Sequence, residues 1–261
     1  MLFHPALLFR NALPWRASGW LPTAAFLGLS IWPSAAQELG PLAPETNVVA
    51  PVTSSRAAQE LRAEEQQRIL GVVPAFNISN FRDAAPLNPE QKFQLAIKSA
   101  FDPFSFVAAG LSAGLGQWQK APAGYGYGLS GYAKRVQASY LDSLNGTMLG
   151  NAVFPVLLHQ DPRYFRQGTG SFGSRLRHAA LSTLRCRDDN GTADWNYSNL
   201  LGNVVTGALA NTYYAKSDRG INLVFGRALT VTAEGALGAV FEEFWPDLSR
   251  KFLAHHKKGR D

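Results

Sequence analysis

The chain has 261 residues, 46% of them apolar and only 17% charged. It can therefore build a core, and it carries fewer charges than the roughly 25% of ordinary soluble domains, so part of its surface need not face water. A net charge of +6 and a pI near 9.5 permit anionic lipid, polysaccharide or nucleic acid as partners without selecting one, whereas the single cysteine, Cys186, excludes an intrachain disulfide and a thiolate metal cluster.

The first 36 residues have the pattern of a signal peptide. Arg10 and Arg16 supply the positive region, Gly19 to Trp32 is mostly apolar, and Ser34-Ala35-Ala36 sets small residues before a cleavage point after Ala36. An uncleaved anchor is the alternative. Against it stand Pro22, Pro33 and a run shorter than the ~20 apolar residues of a span. Loss of the two arginines leaves a mature charge of 6 − 2 = +4. Export also sets aside nucleotide cofactors, and no cofactor or metal is expected.

Residues 37 to 87 form a leading segment in three parts. Residues 37 to 53 are Pro-rich and aperiodic, as in a flexible tether. Ser54 to Leu70 is rich in charge and in helix formers behind a serine cap, which predicts a short exposed helix. Gly71 to Leu87 is apolar without period, as in an extended strap on the main body.

A helical domain is expected over residues 88 to 252. Asn88-Pro89 caps and opens its first helix, and Asp102-Pro103 restarts the chain into the apolar run Phe104 to Trp118. Leu129, Tyr132, Val136, Tyr140, Leu144 and Met148 recur every three or four residues. That helix should kink at Pro155 and end by Gln160, because Pro162 disfavours helical geometry at Asp161. Ser171 caps a further helix carrying Leu176, Ala180 and Leu184, and Asp188-Asp189-Asn190-Gly191 is a turn. Ser198 should cap the next helix, and Asp218 the last, which closes near Trp245-Pro246. A basic tail, residues 253 to 261, follows. Period-2 alternation is confined to Tyr125 to Tyr132, where aromatic and small residues alternate as in outer-membrane strands. The fold class is thus all-α: a single helical bundle, with a small outer-membrane barrel as the alternative.

Glycines recur inside the predicted helices as Gly110 and Gly114, Gly146 and Gly150, Gly202 and Gly207, and Gly235 and Gly238. Each costs ~1 kcal/mol of helix stability relative to alanine, so the repetition points to close helix packing. The approach lies either within a soluble bundle or, as in membrane helix pairs, at a lipid or intersubunit face. Gly126-Tyr127-Gly128-Leu129-Ser130-Gly131 matches the dinucleotide pattern only formally, since no strand feeds it.

The densest chemistry lies in His159-Gln160-Asp161-Pro162-Arg163-Tyr164-Phe165. As a site, His159 is a general base, Asp161 orients it and His178 joins from elsewhere, as in a periplasmic hydrolase. As a clamp, Arg163 pairs bidentately with a carboxylate while Asp161, Tyr164 and Phe165 fix the turn on the core. Glu234, seven residues after Arg227 on one stripe of the last helix, joins the clamp if it is buried, paired with a bundle arginine; otherwise it lies on a solvated face. The clamp is the favoured reading, because no second histidine stands at ligand spacing.

Gln160 to Phe165, the later Asn196-Tyr197-Ser198, and Glu243-Phe244-Trp245-Pro246-Asp247 resemble a family of uncharacterised exported bacterial proteins, over about Phe76 to Phe252. The resemblance implies a shared helical fold and an envelope location, and no activity. The expected function is accordingly structural or interactive, in the periplasm or outer membrane of a bacterium. A membrane surface or lipid is the expected partner, with self-association and without nucleic acid.

Overall fold

The structure is a computed structural model that describes residues 52–258. The expected signal peptide, most of the tether and the end of the basic tail lie outside the described residues. The chain is mostly helical, but it is not a single bundle: short strands knit the helices together at one end.

Helix α1 (Val52–Glu64) leads into the strands β1 (Arg68–Ile69), β2 (Val73–Pro74) and β3 (Ile78–Ser79). The first helix is docked rather than exposed. Its Leu61 joins Phe76, Leu87 and Leu95 in one buried cluster. Ile69, Ala75 and Ile78 form a second cluster, against which Tyr164 and Trp245 pack. The expected strap is therefore part of the core.

Helix α2 (Pro89–Ala100) starts where Asn88 Oδ1 accepts from Gln91 N at 2.8 Å while Gln91 Oε1 accepts from Asn88 N at 3.0 Å. These reciprocal bonds satisfy two of the N–H groups a helix start leaves open. Helix α3 (Pro103–Gln119) is capped by Asp102, whose Oδ1 accepts from Phe104 N at 2.9 Å. The segment that suggested a barrel strand is a tight turn, Ala123–Tyr125, running into helix α4 (Gly128–Met148). The barrel alternative loses its one sequence feature there.

The break expected at Pro155 takes the form of a π turn, Leu149–Val153, ahead of helix α5 (Phe154–Leu157). Proline cannot donate to the carbonyl four residues back. The ladder widens instead, and Phe154 N–H reaches Leu149 O. His159 then turns the chain out of the helix with φ +53°, a left-handed position of the kind that commonly ends helices.

Strands β4 (Gln160–Asp161) and β5 (Tyr164–Phe165) follow, then helix α6 (Phe172–Leu181), capped as expected by Ser171, which accepts from Ser174 N. That helix ends at Leu181 and does not continue to Leu184. Arg185–Asp188 is strand β6, hairpinned to β7 (Ala193–Trp195) across the predicted turn. The antiparallel order is β4-β6-β7, with Asp161 opposite Arg187, while β5 pairs in parallel with β3.

Helix α7 (Tyr197–Tyr213) is capped by Asn196, two residues before the expected Ser198. Asp218 does not cap the final helix α8 (Ile221–Lys258) but closes a short turn before it. Helix α8 also passes through Pro246 instead of stopping.

The glycines divide into three groups. A Cβ on Gly202 would stand 2.8 Å from Gly150 Cα, and one on Gly207 would stand 2.8 Å from Val224 O. Helix α7 thus meets the π turn and α8 backbone to backbone. Gly110 and Gly235 have only side-chain neighbours, Tyr132 and Thr183, whereas Gly114, Gly146 and Gly238 face nothing within 4 Å.

Candidate functional site

The short strands bring the His159–Phe165 stretch against α1, α6 and the end of α8, where two buried ion clusters and a cavity adjoin. Arg163 is at the centre of the first. Its side chain is fully buried, Nε and Nη2 bind Asp161 Oδ1 and Oδ2 at 3.0 and 2.7 Å, and Nη1 lies 3.2 Å from both oxygens of Glu64. Nη2 also donates to Ala85 O at 2.7 Å. The planar fork of arginine suits this arrangement, since its donors diverge to two carboxylates and a carbonyl at once. Burial pushes the Glu64 carboxyl above its ordinary range, with the Arg163 charge opposing. Burial likewise works against the guanidinium, but the bonds and charges of Asp161 and Glu64 outweigh it and hold Arg163 protonated.

The second cluster surrounds Glu243 of α8, which is buried completely. Its carboxylate accepts from Tyr164 Oη at 2.7 Å, Arg175 Nε at 2.7 Å, Gln167 N at 3.0 Å and Gly168 N at 2.8 Å. Its main-chain carbonyl accepts from Arg175 Nη2 at 2.7 Å, while Arg175 Nη1 reaches Asp247 at 2.6 Å. Tyr164 is held neutral, first by burial and then by its bond to Glu243. Four donors on one carboxylate tie the β5 loop and α6 to α8.

The expected clamp carboxylate, Glu234, is exposed and makes no hydrogen bond or ion pair among the described residues. The acids that meet Arg163 and Tyr164 are Glu64 and Glu243 instead. Helical spacing placed Glu234 on a stripe with Arg227, but Arg227 turns to Asp218 O at 2.6 Å and lies over the Tyr214 ring. Glu64 carried no signal that separated it from its solvated neighbours. Glu243 lay inside the Glu243–Asp247 motif without a partner to suggest its role.

The three hydrolase residues do not converge. The His159 side chain is 85% exposed, and its nearest acid is Asp189 at 3.9 Å, itself engaged by Lys92 at 2.6 Å. Both oxygens of Asp161 are taken by Arg163. His178 Nε2 bonds Phe165 O at 2.8 Å. Asp161 and His178 share a cavity of about 730 Å3 whose lining does not include His159. Cys186 lines the same cavity, but burial, helped by Asp194, pushes its thiol up to about 12, so it is no nucleophile at neutral pH.

Gln160, which had no role assigned within that stretch, is buried and fully bonded. Its Oε1 accepts from Ser198 N at 3.0 Å and Ser198 Oγ at 2.7 Å, and its Nε2 donates to Asp194 Oδ2 at 2.9 Å and Trp195 O at 2.6 Å. It satisfies the open start of α7 from outside that helix. Compared with known protein families, curated proteins and solved structures, the chain matches none of them.

Proposed function

We propose that this protein is a non-enzymatic component of a bacterial cell envelope, with α3 and α8 lying in or on a lipid membrane. The carrying observation is the uncovered apolar surface of those two helices. Residues 103–119 contain no charged side chain, yet Phe106, Val107, Leu111, Leu115 and Trp118 are all at least half exposed. A surface helix in water normally sets charges on its outer face.

Helix α8 carries the same property over a greater length. Its stretch Ile221–Arg250 is long and apolar enough to cross a membrane, and only 17% of its most apolar window is buried within the protein. A core helix of similar composition would be mostly buried. Phe225, Leu229 and Leu237 instead point outward. Exposed apolar patches of this extent mark contact with lipid or with another chain. The uncovered glycines, Gly114 and Gly238, leave room for a second copy of the chain. The ion clusters then serve as fasteners: they hold α1, α6 and the strands as a polar head on the apolar helices.

The test is fractionation of the protein expressed with its own leader. Membranes are washed first with high salt and then with urea. Retention through both washes is the expected result. A freely soluble product would overturn the membrane reading.

A further inference from the structure

The cavity beside the clamp carries more positive side chains than its own carboxylates can neutralise. Arg163 is committed to Asp161 and Glu64. Arg177, Arg185 and Arg187 also line the cavity, and none of them has a carboxylate at ion-pair distance among the described residues. Arg185 and Arg187 are two apart on β6, and so share one face of the strand. Each is held against a ring, Arg185 over Trp195 at 5.1 Å and Arg187 over Phe165 at 4.0 Å. Arg187 Nη1 also donates to Arg82 O at 2.6 Å, which orients the guanidinium without cancelling its charge. Arg187 is partly buried, and such a cation without a counter-ion is costly because arginine cannot escape by losing its proton.

The rest of the wall supplies acceptors. Asn77 Oδ1 is buried there with no donor, and Glu242 brings the one carboxyl on the wall that has no partner among the described residues. Gly235, Gly238 and Ala239 of α8 close the far side with almost no side-chain bulk. Guanidinium forks match the anionic oxygens of a phosphate, whereas unpaired oxygens match a hydroxyl. We infer that this cavity binds a phosphate ester that carries a free hydroxyl. Arg185 and Arg187 hold its phosphate, Arg177 adds charge beside them, and Asn77 and Glu242 accept from the hydroxyl. Free glycerol phosphate and a phosphatidylglycerol headgroup share this chemistry.

The experiment uses the full chain purified in a neutral detergent and contains no bilayer, so its outcome is independent of the membrane reading. Calorimetric titrations are run with glycerol 3-phosphate, with a short-chain phosphatidylglycerol, and with glycerol and short-chain phosphatidylcholine as controls. Saturable binding of a phosphate ester is expected, weakening with salt and absent with both controls. The Arg177→Gln/Arg185→Gln double variant changes two exposed side chains that make no hydrogen bond among the described residues, so its fold should persist. Its affinity should fall about tenfold or more, the loss of one or two charge-assisted contacts. Tighter binding of the lipid identifies a headgroup site, and tighter binding of glycerol phosphate identifies a soluble ester; both support the inference. Two results would overturn it: no saturable binding of either ester, or equal affinity in the folded double variant.

Discussion

Arg163 and Glu64 are 99 residues apart in the chain and meet at 3.2 Å with both side chains fully buried. Between them they join the first described helix to the β4–β5 turn. Asp161 closes the group from the other side, so one guanidinium is shared by two carboxylates.

This charge count predicts an asymmetry. Replacing Arg163 by leucine leaves two buried carboxylates without a cation, and breaking a buried pair in this sense costs about 3–5 kcal/mol. Replacing Glu64 by glutamine leaves Asp161 to balance Arg163 and keeps an oxygen facing Nη1. The loss there should stay near 1 kcal/mol, that of an ordinary hydrogen bond. Urea unfolding of the two variants should therefore rank Arg163→Leu well below Glu64→Gln. Equal losses would mean that the pair, rather than the triad, is the unit.

At Asp102 the same physics gives a pH dependence. Burial alone would raise its carboxyl, but Arg68 Nη2 at 2.5 Å and Phe104 N at 2.9 Å more than reverse this and hold it below the ordinary aspartate range. A depressed carboxylate contributes stability that is present above its unfolded pKa and lost as pH falls through the folded value. Asp102→Asn keeps a cap for α3 but cannot titrate. Thermal melting from pH 6 down to pH 2 should show the wild type losing more stability than this variant. Parallel curves would show that Asp102 takes no part in acid unfolding.

Gly202 and Gly114 should respond to alanine with opposite signs. At Gly202 the new methyl would lie 2.8 Å from the backbone of Gly150, which cannot yield as a side-chain tip can. Over-packing of this kind costs about 1–3 kcal/mol. At Gly114 nothing lies within 4 Å, and alanine gains up to ~1 kcal/mol of helix propensity. Melting temperatures should fall for Gly202→Ala and hold or rise for Gly114→Ala. If Gly114 instead seats a second copy of the chain, the Gly114→Leu variant will keep its melting temperature and lose the larger species on size-exclusion chromatography.

Helices with local punctuation were legible in the sequence. Asn88-Pro89, Asp102-Pro103 and Ser171 each carry their own start signal, and all three open helices where expected. The elements that failed were those whose form depends on distant partners. Strand β6 reads as a helix until β4 and β7 flank it, because four residues are too few to show a period. Pro246 reads as a helix stop, yet α8 continues through it, beside a Glu243 carbonyl bound to Arg175. The candidate site divides in the same way. Asp161 and Arg163 are sequence neighbours and visible as a pair, whereas Glu64 and Glu243 reach the clamp only through tertiary packing.

Trp118 offers the most direct test of where the membrane would lie. It is 78% exposed at the end of α3, one turn beyond Leu115 and two residues before Lys120. Tryptophan favours the boundary between acyl chains and headgroups, where its ring is buried and its N–H remains hydrated. In detergent-free buffer an exposed indole emits at long wavelength, and in a bilayer boundary its emission moves to the blue. The difference spectrum between the wild type and Trp118→Phe isolates this residue from the other tryptophans. That difference should shift to the blue on reconstitution into vesicles, and lipids brominated near the headgroup should quench it more than lipids brominated deep in the chain. Leu111→Arg/Leu237→Arg places charges at two positions that are 69% and 72% exposed, and each charge costs about 2.5–3.5 kcal/mol at the centre of a membrane helix. The double variant should fold to the same helical content and yet fail to float with the vesicles. Unchanged flotation, with Trp118 still emitting as in water, would place these faces outside the lipid and leave contact between protein chains to cover them.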